Sequence, residues 1–131
     1  MSGSLDTNVV LRFMRHDIPM QTSQAAALLD GADRPFEVAD IVFIETAHVL
    51  ERYYGIDRQT IRVLLSEFMR LDVINCNKTL LEKALTPYAT HPALSLEDCC
   101  LAAYAEINKA LPLYTFDQKL ARQAMGVQLV S

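Results

Sequence analysis

Tryptophan is absent from this 131-residue chain, and glycine, proline and cysteine are scarce, with four, five and three residues. So few glycines and prolines leave little room for linkers, and no internal repeat or low-complexity tract interrupts the sequence. One domain spanning residues 1–131, built around one core, is expected at this length. No apolar run approaches the roughly 20 residues needed to cross a bilayer. The opening Met1-Ser2-Gly3-Ser4 lacks the basic stretch and apolar segment of a signal peptide, so a cytoplasmic location without membrane attachment is expected. Cys76, Cys99 and Cys100 form no CxxC and no zinc-type spacing with His16, His48 or His91. An odd cysteine count in a reducing compartment reads as free thiols. Cys99 and Cys100 lie in an apolar segment, which favours packing over redox chemistry.

Positive charge is also short. Twelve basic residues face 16 acidic ones, for a net charge of −4. Taken alone this argues against nucleic acid, whose phosphates call for lysine and arginine. If four carboxylates served as metal ligands, the remaining balance would be 12 against 12. The bulk charge therefore permits RNA without arguing for it. With 51% apolar and 21% charged residues, the composition is that of a folded globular protein.

Hydrophobic periodicity predicts alternating strands and helices. A very short strand ends at Leu5-Asp6, and a helix follows through Val9 to Met14. A second helix from Gln21 to Asp30 closes at Gly31, and Phe36 to Ala39 reads as a strand. A strongly apolar helix then runs from Ile41 to Tyr54, stopped by Gly55. An amphipathic helix covers Arg58 to Leu71, with Ile61, Leu64, Leu65 and Phe68 on one stripe. Val73-Ile74 reads as a strand, Asn77 as the cap of a helix over Leu80 to Tyr88, and residues 90–94 as a loop. A helix from Glu97 to Asn108, a strand at Leu113-Tyr114, a helix from Gln118 to Met125 and a strand from Val127 to Val130 complete the chain. Gly31, Gly55 and Gly126 each follow a predicted helix, where a left-handed cap favours glycine. The alternation implies an α/β fold with a parallel sheet covered by helices on both faces.

Ligands of open α/β sheets bind outside the carboxyl ends of the strands. Asp6 and Asp117 each follow a predicted strand and point to that crevice, although for either taken alone a cap on the helix after it is the plainer reading. Glu45 lies on a largely apolar helical stripe with Ile41, Val42, His48 and Val49, where an unpaired carboxylate is costly to bury. Its plainer readings are an ion pair with Arg52 or another arginine, or exposure at the stripe's edge. Asp98 belongs to Ser95-Leu96-Glu97-Asp98, close to a capping box. It also opens a stripe with Leu101, Ala102 and Ala105 that is expected to face inward, while Glu97 faces solvent. Jointly, acids at two strand ends and on two flanking helices suit Mg²⁺ or Mn²⁺, which prefer carboxylate and water to imidazole or thiolate. No serine, cysteine or histidine offers a competing nucleophile with a visible partner.

These residues fall in motifs that resemble a known family. Leu5-Asp6-Thr7-Asn8-Val9-Val10-Leu11-Arg12 is similar to the opening motif of PIN-domain nucleases, and Phe43-Ile44-Glu45-Thr46-Ala47-His48-Val49-Leu50 to their glutamate-bearing helix. Leu96-Glu97-Asp98-Cys99-Cys100-Leu101-Ala102-Ala103 resembles their third motif, and Leu113-Tyr114-Thr115-Phe116-Asp117 the fourth. Size and helix arrangement look most like the VapC-type toxins of bacterial toxin–antitoxin pairs. The resemblance implies a three-layer α/β/α sandwich with a short, mostly parallel sheet of four or five strands. It implies single-stranded or structured RNA as substrate, Mg²⁺ or Mn²⁺ as cofactor, a homodimer, and an antitoxin whose tail enters the acidic groove. By that similarity Asp6, Glu45, Asp98 and Asp117 are the catalytic and metal-binding acids, with Asn8 and Thr115 orienting them. The chain departs from the family in Met1-Ser2-Gly3-Ser4, which supplies almost no apolar strand before Asp6, and in the Cys99-Cys100 pair.

The substrate backbone is then expected to meet some of Arg12, Arg15, Arg34, Arg52, Arg58 and Arg62. Two further readings stay open at this level: a housekeeping PIN-type RNA-processing nuclease, and a PIN-like binding module that does not cleave. A haloacid-dehalogenase phosphatase is disfavoured, because Asn8 stands where that chemistry needs a second aspartate.

Overall fold

A computed structural model describes residues 3–130; Met1 and Ser2 of the opening segment lie outside the described residues. Among the described residues seven helices dominate: α1 (Thr7–Met14), α2 (Pro19–Asp30), α3 (Asp40–Arg52), α4 (Arg58–Met69), α5 (Lys78–Thr90), α6 (Leu96–Ile107) and α7 (Gln118–Gln123). Between them lie the short strands β1 (Phe36–Glu37), β2 (Ile74–Asn75), β3 (Leu113–Thr115) and β4 (Val127–Leu129). Strand β1 runs parallel to β2 with Phe36 opposite Ile74, and β3 parallel to β4 with Leu113 opposite Val127.

In place of the very short strand expected to end at Leu5-Asp6, a single parallel bridge joins Ser4 to Glu37 of β1. Leu5 N donates to Glu37 O and Glu37 N to Gly3 O. The α/β class and the parallel pairing hold. Among the described residues, however, the ladders join the strands as two separate pairs rather than one sheet of four or five strands. The cause is local: Leu5 is the only large apolar side chain among Gly3, Ser4 and Leu5, too little to build a strand between the pairs.

Helix signals hold with two corrections. Gly55 and Gly126 take φ of +65° and +74°, left-handed positions that a side chain would strain. Gly31 does not: its φ is −87°, and its N–H donates to Ala27 O, so the end of α2 stays right-handed. That helix also starts earlier than Gln21, because Pro19 fits the first turn. Asn77 caps α5 as expected, accepting from Leu80 N.

The core is a helical sandwich around α4, whose Ile61, Leu65, Phe68 and Met69 are buried against Phe43, Ala47 and Leu50 of α3 and Leu81, Leu85 and Tyr88 of α5. The Phe68 ring lies 5.9 Å from that of Phe13 and 6.1 Å from that of Phe43. Helix α6 buries Leu96, Cys99, Cys100, Ala103 and Ala105, whereas Leu101, expected inside, is 45% exposed. The stripe opened by Asp98 therefore faces partly outward. No helix among the described residues is long and apolar enough to cross a membrane.

The cysteines are free thiols. Burial first, then the neighbouring acids, push Cys99 up to about 11 and Cys100 up to about 12, so both stay protonated at neutral pH. Alkylation of the native protein at pH 8 is expected to label half-buried Cys76 first. Cys99 and Cys100 should react only in denaturant; rapid labelling of either in the native state, read by peptide mass, would contradict their placement.

Candidate active site

Each acid is set by the element that carries it. Asp6 caps α1, its Oδ1 accepting from Val9 N at 3.0 Å. Asp117 caps α7, its Oδ1 accepting from Lys119 N and Leu120 N at 2.9 and 3.2 Å. Asp98 completes a capping box on α6: its Oδ2 accepts from Ser95 N at 3.1 Å, and its own N–H donates to Ser95 Oγ at 3.0 Å. Glu45 lies on an exposed part of α3, and Thr7 Oγ1 donates to its Oε2 at 3.4 Å. Of its plainer readings, exposure at the stripe's edge is seen, with Ile41 and His48 also exposed, and the ion pair with Arg52 is not. Thr7 follows Asp6 directly, so that contact brings the start of α1 to Glu45.

The capping role expected as an alternative is thus real for Asp6, Asp98 and Asp117. It does not use up their chemistry. A carboxylate offers two oxygens and about four lone-pair directions, and each of the three spends one oxygen on its own helix. Among the described residues no lysine or arginine pairs with any of the four. No three of His, Cys, Asp and Glu form a ready ligand cluster there either. Mg²⁺ keeps several waters and commonly takes only one or two carboxylates. Carboxylate oxygen is the donor such an ion takes, and these acids form no closed cage of it among the described residues.

Two clefts adjoin two of these acids, Glu45 and Asp6, and neither is lined by Asp98 or Asp117. One of about 370 Å³ is lined by Glu45, His48, Arg52 and Arg58 and by Ser95, Leu96 and Glu97, so it faces Glu45 toward the start of α6. The other, about 350 Å³, is lined by Asp6, Asn8, Arg12, Gln21 and Gln24. Asn8 therefore stands beside Asp6 without a hydrogen bond to any of the acids among the described residues. Thr115 Oγ1 accepts from Asp117 N at 3.0 Å, so it holds the backbone of Asp117 rather than its carboxylate.

The PIN domain family matches residues 4–125, nearly the whole chain, and all four acid-bearing motifs fall inside that span. The chain belongs to the PIN-domain family. A search of curated proteins finds no match. Membership in the PIN family points to a nuclease-type hydrolase, and PIN nucleases usually employ divalent metal ions.

The arginines divide by their partners. Arg12 donates to Asp17 Oδ1 at 2.8 Å and to Tyr54 Oη at 2.9 Å, and Arg15 lies 5.1 Å from the Tyr54 ring centroid. The Tyr54 phenol donates to Asp17, holding that carboxyl below its usual range. Arg58 is bound still more heavily, by Glu51 and by backbone carbonyls. Arg52 is exposed and lines the Glu45 cleft. Sequence reasoning missed the grouping of Glu51, Arg58 and Tyr88, because it forms across three helices and no local spacing announces it.

Proposed function

We propose that this PIN domain is a Mg²⁺- or Mn²⁺-dependent endoribonuclease, the toxin of a VapC-type toxin–antitoxin pair. On this reading it works in the cytoplasm as a homodimer with a three-layer α/β/α core and cleaves single-stranded or structured RNA. An antitoxin tail inhibits it by entering the acidic groove. One observation carries the proposal. At Asp6, Glu45, Asp98 and Asp117, the acids of the four motifs that resemble those of PIN nucleases, a carboxylate stands free of any lysine or arginine partner among the described residues.

A divalent ion bound by these acids supplies a water of lowered pKa and neutralises charge developing on the phosphoryl group. The chain's own share is positioning. The caps of Asp6 and Asp117 limit rotation of their carboxylates, Thr115 fixes the turn before α7, and Arg52 offers a cation to a flanking phosphate. Purified, antitoxin-free protein is expected to cut RNA with Mg²⁺ or Mn²⁺ and to stop on chelation. Metal-independent cutting, or none with either ion, would overturn the nuclease reading. Growth arrest on expression, relieved by the product of a short adjacent reading frame, tests the toxin role; its absence would favour RNA processing.

A further inference from the structure

We infer that Glu51, Arg58 and Tyr88 form a clamp that positions Asp98, by fixing the start of α6 against α3 across the Glu45 cleft. The inference rests on the proposed metal-dependent nuclease reading and assigns positioning residues to it. Arg58 is the hub, with only 15% of its side chain exposed. Its Nε donates to Glu51 Oε2 at 3.2 Å. Its Nη1 donates to Tyr88 O at 3.0 Å, to His91 O at 3.1 Å and to Leu94 O. The guanidinium also lies 4.3 Å from the Tyr88 ring centroid, and the Tyr88 phenol donates to Glu51 Oε1 at 2.9 Å. Burial, and next the Glu51 carboxylate, push that phenol up, so it remains a donor at every physiological pH.

The geometry says what the clamp holds. Tyr88 and His91 stand at the end of α5, where carbonyls have no partner within the helix. Leu94 immediately precedes Ser95, the N-cap whose box contains Asp98. One guanidinium thus fastens the turn from the end of α5 to the cap of α6. Its counter-ion, Glu51, sits on α3 six residues beyond Glu45, about 9 Å along a rigid helix. Arg58 therefore ties the Asp98-bearing turn to the helix that carries Glu45. A displacement of about 1 Å at such a site is enough to lose most of its activity.

The test is Mn²⁺ affinity, measured by calorimetry on the full, partner-free chain. Lysine keeps the charge but cannot reproduce the planar fork that reaches the carboxylate and the carbonyls together. Arg58→Lys and Tyr88→Phe are each expected to weaken Mn²⁺ binding about tenfold, the usual cost of losing a support behind a ligand. In an Asp98→Asn background Arg58→Lys should add nothing further, because its effect runs through Asp98. A purely structural role predicts a lower melting temperature with unchanged Mn²⁺ affinity of the folded protein, or independent effects that multiply; either overturns the clamp. If Arg58→Lys fails to fold, Tyr88→Phe, which deletes one hydroxyl, decides by the same criterion. Asp98→Asn binding Mn²⁺ like the parent, while Asp6→Asn does not, removes the clamp and spares the nuclease reading. A parent protein that binds no Mn²⁺ ends both.

Discussion

Asp6→Asn and Asp117→Asn should each reduce RNA cleavage by at least about 100-fold, since even residues that merely support a ligand cost 10–100-fold when lost. The melting temperature should move by only a few degrees. On the proposed reading these aspartates do double duty, as helix caps and as metal ligands. Each caps a helix through one oxygen, Asp6 for α1 and Asp117 for α7. Asparagine is as good an N-cap as aspartate, because its carbonyl oxygen accepts the same N–H bonds. What it removes is the negative charge, with a small loss of about 0.3–1 kcal/mol against the helix dipole. The substitution therefore separates the observed capping role from the proposed metal-ligand role. Asp57 provides the control: it caps α4, accepting from Thr60 N at 2.9 Å, and belongs to none of the acid motifs. Asp57→Asn should leave cleavage within about twofold, because asparagine keeps the same cap. If Asp6→Asn cleaves like Asp57→Asn, Asp6 is a cap and no more, and the four-acid site loses its first member.

Much of this arrangement was legible in the sequence, for reasons that differ by element. Helices α3, α4 and α5 carry long apolar stripes, and Asn77, Gly55 and Gly126 mark their limits or that of α7, so period and punctuation agree. The strands were harder. They have only two or three residues each, and pairing depends on partners far away in the chain, such as Phe36 opposite Ile74. At the acids, the cap reading and the ligand reading use the same sequence signal. An aspartate between a strand and a helix serves both, and the hydrogen bonds show the cap directly. Leu101 was misplaced because a single inward stripe was extended from Asp98, whereas α6 turns Leu96, Cys99, Cys100 and Ala103 to the core instead. The Glu51–Arg58–Tyr88 grouping was out of reach. Its members meet only after α3, α4 and α5 have packed, and an arginine so placed reads locally as another solvated charge.

Phe68→Ala should lower stability by about 3–5 kcal/mol, the range for deleting a buried aromatic ring and leaving part of its cavity open. Phe68 is 3% exposed and stacks at an angle on Phe13 from α1 and Phe43 from α3. Those helices carry Thr7 and Glu45, the pair joined at 3.4 Å. The ring thus packs against both helices whose Thr7 and Glu45 side chains meet. Against a total of about 5–15 kcal/mol for a domain of this kind, the loss is a large fraction. A fall in melting temperature of about 10 °C or more is expected, with a matching fall in the urea midpoint. Refilling by Phe68→Leu should recover part of that loss, because it restores apolar volume without the aromatic contacts. A fall of less than about 3 °C for Phe68→Ala would mean that α1 and α3 do not depend on this ring. The Thr7–Glu45 contact would then need another support, and the core around α4 would not be what holds the two segments together.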